Sequence, residues 1–150
     1  MTEFSLNDVV EQIVDDASFE VQPTGQTVKY SSPPEGITIR GNEELLGSAI
    51  ENVVRNALKY TRSGPVEVQL SSSEEASVIC VRDHGPGIPD AELTRIFRPF
   101  YRADSSRRDD DGAGLGLAIA QRAINLHGGS IDVRNVMPHG LEVEIRLPRN

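Results

Sequence analysis

Glu51-Asn-Val-Val-Arg-Asn-Ala-Leu-Lys-Tyr60 (ENVVRNALKY) is the stretch on which the fold turns. Val53, Val54, Ala57 and Leu58 recur at helical spacing and mark one side for burial. Asn52, Asn56, Lys59 and Tyr60 fall at i, i+4, i+7 and i+8, so at about 100° per residue they share a face. Asparagine is a mediocre helix former, and two on one stripe suggest a task. Amide oxygens suit Mg²⁺, which takes oxygen ligands and keeps waters and phosphates in its shell. Lys59, one turn later, can meet a phosphate as a point charge. The competing reading is a polar stripe facing solvent.

Working outward, this stretch ends a helix opened by Asn42 and running to about Thr61. Ahead of it, Ser5 to Ala17 reads as a short helix, with Ser5 as cap and Asp8 at the capping-box position. Thr27 to Ser31 and Gly36 to Arg40 read as strands around a Pro-Pro turn (SSPPEG). Beyond it, Val66, Val68 and Leu70 alternate as in a half-buried strand, and Ser77 to Arg82 reads as a more apolar, central one. Pro89 to Ile96 suggests a short helix. Phe97 to Gly114 is irregular, first aromatic (FRPFYR) and then polar (ADSSRRDDD). Leu115 to Leu126 reads as a helix ended by Gly128-Gly129, and 131–133 and 141–147 as a closing pair of strands. Helices and strands do not alternate strictly, which disfavours a doubly wound parallel sheet. A two-layer sandwich, with helices on one face of a mixed sheet, fits this order better.

The 150 residues suit one domain. No apolar run approaches the roughly 18 residues that span a membrane. The opening MTEFSLNDVV carries acid and lacks an apolar core, so it is expected to be an expression start and not a signal peptide. The single cysteine, Cys80, lies in an apolar run (VICV) and is expected to be a buried structural thiol. One cysteine and three histidines make a protein-built zinc site improbable. A net charge of −8 argues against nucleic-acid binding as the main task.

Two glycine motifs remain. Asp111 to Leu117 (DGAGLGL) is neither a dinucleotide fingerprint nor a P-loop. Alone it reads equally as a flexible loop closing onto a helix. Asp83 to Ile88 (DHGPGI) follows a strand expected to be buried. A carboxylate there can accept from an exocyclic amine, and Gly85 and Gly87 leave room for a flat ring. The plain alternative is an ordinary D-x-G turn.

Taken in order, Asn52 to Tyr60, Asp83 to Gly87, Phe97 to Tyr101 and Gly112 to Leu117 resemble the N box, first glycine box, F box and second glycine box of the ATP-binding domain of sensor histidine kinases. That family lies within the superfamily of gyrase, heat-shock chaperone and mismatch-repair ATPases. The FRPFYR form looks closest to its envelope-stress and osmosensor-like branch. The resemblance implies an α+β domain of Bergerat type: a two-layer sandwich with a mixed, mostly antiparallel sheet covered on one face by about three helices. It implies one ATP-binding catalytic domain over 1–150, with its core at about 37–147 and an N-terminal helix within 1–20 leading in from an absent dimerisation segment.

The resemblance also assigns roles. Asn56 would coordinate Mg²⁺ with help from Asn52, Lys59 would meet phosphate, and Tyr60 would pack near the sugar or base. Asp83 would accept from the adenine amine, and Gly85, Gly87 and Ile88 would line the base pocket. Phe97 to Gly112 would form the ATP lid, anchored by Phe97 and Phe100 and including Tyr101. Arg102, Arg107 or Arg108 would reach the γ-phosphate. Gly112, Gly114 and Gly116 would let the chain bend around the triphosphate beside Leu115 and Leu117, and helix 115–126 would offer its N–H groups to the anion.

ATPases of the superfamily place a glutamate one turn before the magnesium asparagine, as base for water. Here that position is Asn52, and Glu51 should point elsewhere. The implied activity is therefore that of a protein histidine kinase. The family's acceptor histidine stands near an acidic residue and before a proline. None of His84, His127 and His139 has that context, and all three are read as surface or packing residues. The expectation is a cytoplasmic, monomeric fragment of a homodimeric inner-membrane sensor of two-component signalling. It would bind Mg-ATP, transfer phosphate to a histidine on a separate dimerisation domain, act upstream of a response regulator, and not autophosphorylate alone. Alternatives are an anti-sigma-factor-type serine kinase or a degenerate nucleotide-sensing docking module.

Overall fold

A computed structural model describes residues 1–98 and 115–149. The elements in order are β1 (Thr2–Ser5), α1 (Leu6–Val21), β2 (Val28–Ser31), β3 (Thr38–Gly41), α2 (Glu43–Tyr60), β4 (Val66–Ser72), β5 (Ala76–Arg82), α3 (Leu115–Leu126), β6 (Ser130–Asn135) and β7 (Leu141–Pro148). Short 3₁₀ turns lie at Gln22–Thr24 and Asp90–Glu92.

Asn42 caps α2. Its side-chain oxygen accepts from the Leu45 N–H at 3.0 Å, satisfying a donor that the helix start leaves orphaned. Glu43 and Glu44 in the first turn and Lys59 in the last suit the helix dipole. Leu46, Ala49, Ile50, Val53, Val54, Ala57 and Leu58 are buried. Each large side chain among them contributes about 1.5–3 kcal/mol by leaving water. They pack between the sheet and the neighbouring helices α1 and α3.

The main sheet has the order β2-β4-β5-β7-β6. β2 runs parallel to β4, and all other pairs are antiparallel. Val66, Val68 and Leu70 of β4, Ile79 and Val81 of β5, and Val143, Ile145 and Leu147 of β7 face the helices and are buried. Between them Glu67, Gln69, Glu144 and Arg146 face outward, as strand alternation requires. On that outer face Arg134 lies 2.8 Å from Glu144 and 3.4 Å from Glu142, and Arg146 lies 3.0 Å from Glu144. The result is the expected two-layer α+β sandwich, with a mixed, mostly antiparallel sheet covered by helices on one face.

Four details differ from expectation. The opening residues form a strand ahead of the expected first helix: β1 pairs with β3 from Thr2↔Gly41 to Ser5↔Thr38, while α1 buries Leu6, Val10, Val14 and Ala17 as expected of that helix. The two strands flanking the Pro-Pro turn belong to different sheets, β2 beside β4 and β3 beside β1. Pro89 to Ile96 forms successive i→i−3 turns and no α-helix, a stretch too short to nucleate one. Cys80 is only half-buried, because it points to the outer face of β5. Burial, reinforced by the charge of Glu142, still pushes its thiol up to about 11. Among the described residues no helix is long and apolar enough to cross a membrane.

Candidate functional site

β5, the central strand, delivers Asp83 just past its C-terminal end with only 5% of its surface exposed. Its Oδ1 accepts from the Gly85 N–H at 2.8 Å and the Leu141 N–H at 3.1 Å. Neither bond uses Oδ2. Burial pushes the carboxyl up from its ordinary range, against the lowering pull of those two N–H groups and of His84. A carboxylate so placed costs stability unless it serves a ligand.

The end of α2 meets this turn. The His84 N–H donates to Thr61 Oγ1 at 3.0 Å, and the Arg62 N–H donates to the His84 carbonyl at 3.4 Å. A Cβ at residue 85 would lie on the Tyr60 carbonyl oxygen, so only glycine allows this approach. Tyr60, Asp83 and Gly85 are thereby brought together. Gly87 adopts φ +78°, and Ile88 is held by Asn135.

Further along α2, Asn52 and Asn56 are half-buried on the expected face, and Lys59 is exposed. The Asn56 Nδ2 atom is buried without a hydrogen-bond partner. Native interiors rarely leave such a group orphaned, so a polar ligand at this point is chemically apt. Turning the amide presents Oδ1 there instead, which fits an oxygen-seeking cation. Glu51 does not share the stripe. It is held by Arg55 at 3.0 Å, and Arg55 also lies 3.4 Å from Glu20 of α1.

Phe97 packs partly buried against the core, next to the buried Ile96. Leu115 and Gly116 open α3, and Leu117 is buried. Phe100, Tyr101, Arg102, Arg107, Arg108, Gly112 and Gly114 lie outside the described residues.

The histidines have structural surroundings. His127 Nε2 accepts from the Asn42 N–H at 3.0 Å, and its Nδ1 faces the Ala123 carbonyl at 2.8 Å. That pair of contacts selects the Nδ1–H tautomer and ties the start of α2 to the end of α3. His84 stacks edge-on against His139 with ring centroids 6.3 Å apart, and its Nε2 lies 3.7 Å from Glu67.

Sequence reasoning missed Thr61, Asn135, Gly140 and Leu141, which hold the Asp83 turn from outside. Asn135 ends a strand and Gly140 sits in a tight hairpin, but neither feature announces its partner far along the chain.

Three helices on one face of this mixed sheet, with a buried aspartate closing a central strand, define the Bergerat class of ATP-binding domains. The family model described as histidine kinase-, DNA gyrase B- and HSP90-like ATPase matches residues 41–150, and the chain belongs to that family. Within it, the chain is an ATP-binding catalytic domain of the sensor histidine kinase kind. The sensor histidine kinase CpxA of Escherichia coli (strain K12) is 38% identical over 143 residues, 95% of this chain and 31% of CpxA. The chain thus spans about a third of the length of such relatives. The mycobacterial sensor histidine kinase MprB superposes with a TM-score of 0.83 at 28% identity, covering 97% of both chains. Full-length ShkA in complex with AMPPNP superposes with a TM-score of 0.83 at 28% identity, covering 98% of this chain and 30% of ShkA.

Proposed function

We propose that this domain binds Mg-ATP and delivers the γ-phosphate to a histidine on a separate dimerisation domain. The observation that carries the reading is the Asp83 carboxylate, buried and with Oδ1 held by two backbone donors. Oδ2 is left as the acceptor for the adenine amine. Gly85, Gly87 and Ile88 line the ring, with Tyr60 beside it. Asn56, whose Nδ2 lacks a partner, would turn its amide to hold Mg²⁺ with Asn52. The ion would neutralise phosphate charge. Lys59 would supply a further positive charge at the phosphates, and α3 would offer its N-terminal N–H groups to the same anion. Phe97 would anchor the near end of the lid proposed over Phe97 to Gly112, with Phe100 and Tyr101. Arg102, Arg107 or Arg108 would reach the γ-phosphate, and Gly112, Gly114 and Gly116 would let the chain bend around the triphosphate beside Leu115 and Leu117.

Glu51 is engaged by Arg55, and Asn52 occupies the place from which a glutamate would activate water. Among the described residues no carboxylate stands in that place to act as a general base, which supports keeping the γ-phosphate for a protein nucleophile. None of the three histidines lies in an acceptor's setting, so the acceptor comes from elsewhere in a longer, membrane-anchored homodimeric sensor that signals to a response regulator. Incubation with γ-labelled ATP, Mg²⁺ and a separately supplied dimerisation domain tests this. Label should pass to the supplied histidine and not to this chain alone. Stable phosphohistidine on the isolated chain contradicts it.

A further inference from the structure

Asn135 stands at the end of the edge strand β6 and spends its whole amide on one turn. Its Oδ1 accepts from the Ile88 N–H at 2.9 Å. Its Nδ2 donates to the Ile88 carbonyl at 2.6 Å and to Asp90 Oδ1 at 3.0 Å. Pairing both backbone groups of one residue is what an adjacent strand does; here a side chain does it where no strand runs. Asn135 also pairs with Leu141 in the β6–β7 ladder. Leu141 in turn donates to Asp83 Oδ1. One rung of the hairpin therefore grips both ends of the Asp83–Ile88 turn, Leu141 at the carboxylate and Asn135 at the exit. A Cβ at residue 87 would run into Asn135 Oδ1, so the turn is shaped against this amide.

We propose that Asn135 is a positioning residue for base recognition, fixing the Gly87–Ile88 backbone at a set distance from Asp83 and so setting the slot that distinguishes adenine from guanine. The proposal rests on reading Asp83–Ile88 as the adenine turn. An exocyclic amine donates to a carboxylate and a ring carbonyl does not. That distinction survives only while the ring is held in one register, which needs both ends of the turn.

Calorimetric titration of the chain with Mg-ATP and Mg-GTP, at a temperature where each variant is folded by circular dichroism, tests this. Wild type should prefer ATP. Asn135→Ala should weaken ATP binding about tenfold, the scale of one well-made hydrogen-bonded contact, and lower the ATP-over-GTP preference. Asn135→Asp keeps the acceptor for the Ile88 N–H but sets a charge against Asp90, and should also bind weakly. Asn135→Asp with Asp90→Asn relieves the charge clash but leaves the Ile88 carbonyl without its donor, so it should regain part of the loss. Wild-type binding matched by Asn135→Ala with an unchanged preference overturns the proposal. So does a well-folded double variant with no recovery, which would reduce Asn135 to a structural role. Failure of the wild type to bind ATP overturns the adenine-turn reading itself, and this proposal with it.

Discussion

Asp83 and Leu141 hold each other twice: the Asp83 N–H donates to the Leu141 carbonyl at 3.0 Å, and the Leu141 N–H donates to Asp83 Oδ1 at 3.1 Å. The two residues are 58 apart in sequence. Oδ1 of the carboxylate thus belongs to the fold, and Oδ2 takes part in neither of these bonds.

Asp83→Asn separates these duties. The amide oxygen still accepts both N–H bonds, so the fold survives. An amide N–H₂ replaces the second acceptor and opposes the adenine amine, and ATP affinity should fall by at least about 100-fold. Stability moves the other way with pH. The folded carboxyl titrates above its ordinary value of 3.8, so the native state holds its proton more tightly than the unfolded one. Wild-type stability therefore has this contribution in full below the unfolded value and loses it as pH rises through the folded one. The asparagine variant has no such loss. Urea unfolding from pH 3.5 to 7 should show the difference shifting in favour of asparagine as pH rises.

Gly85→Ala drives a Cβ onto the Tyr60 carbonyl oxygen, a backbone atom that cannot rotate away. The end of α2 or the turn must move. We expect a loss of about 1–3 kcal/mol in urea unfolding, typical of overpacking, with weakened ATP binding.

His127→Ala removes an acceptor from the Asn42 N–H and the partner of the Ala123 carbonyl. The expected cost is about 1–3 kcal/mol, read as a lower urea midpoint with an unchanged slope. His139→Ala, at an exposed position, should stay within about 0.5 kcal/mol of wild type.

Cys80 is half-exposed, yet its thiol is pushed up to about 11. At pH 8 about one molecule in a thousand carries the thiolate, roughly 100-fold fewer than for a thiol at its ordinary value. Iodoacetamide should modify the folded chain about that much more slowly than the urea-unfolded one.

The helices were legible because their signals are local. Asn42 caps α2 three residues from its partner Leu45, and the periodicity of Leu115–Leu126 matches α3 to the residue. Alternation also gave β4 and the central place of β5. Long-range partners were not legible. His127 reaches Asn42 across 85 residues and Asn135 reaches Ile88 across 47, with nothing local to mark either pair. Cys80 misled because VICV is apolar throughout, whereas β5 has helices on one face only. The face shared by Asn52 and Asn56 was legible from spacing. The orphaned Asn56 amide was not, since burial of one atom depends on the packing around α2.

Asp83 and the asparagine stripe are proposed to form one Mg-ATP pocket. Calorimetric titration of the chain with ATP, with and without Mg²⁺, tests it most directly. Saturable one-site binding that responds to Mg²⁺ and disappears in Asp83→Asn is expected. No binding at millimolar ATP, or equal binding by wild type and Asp83→Asn, would contradict it.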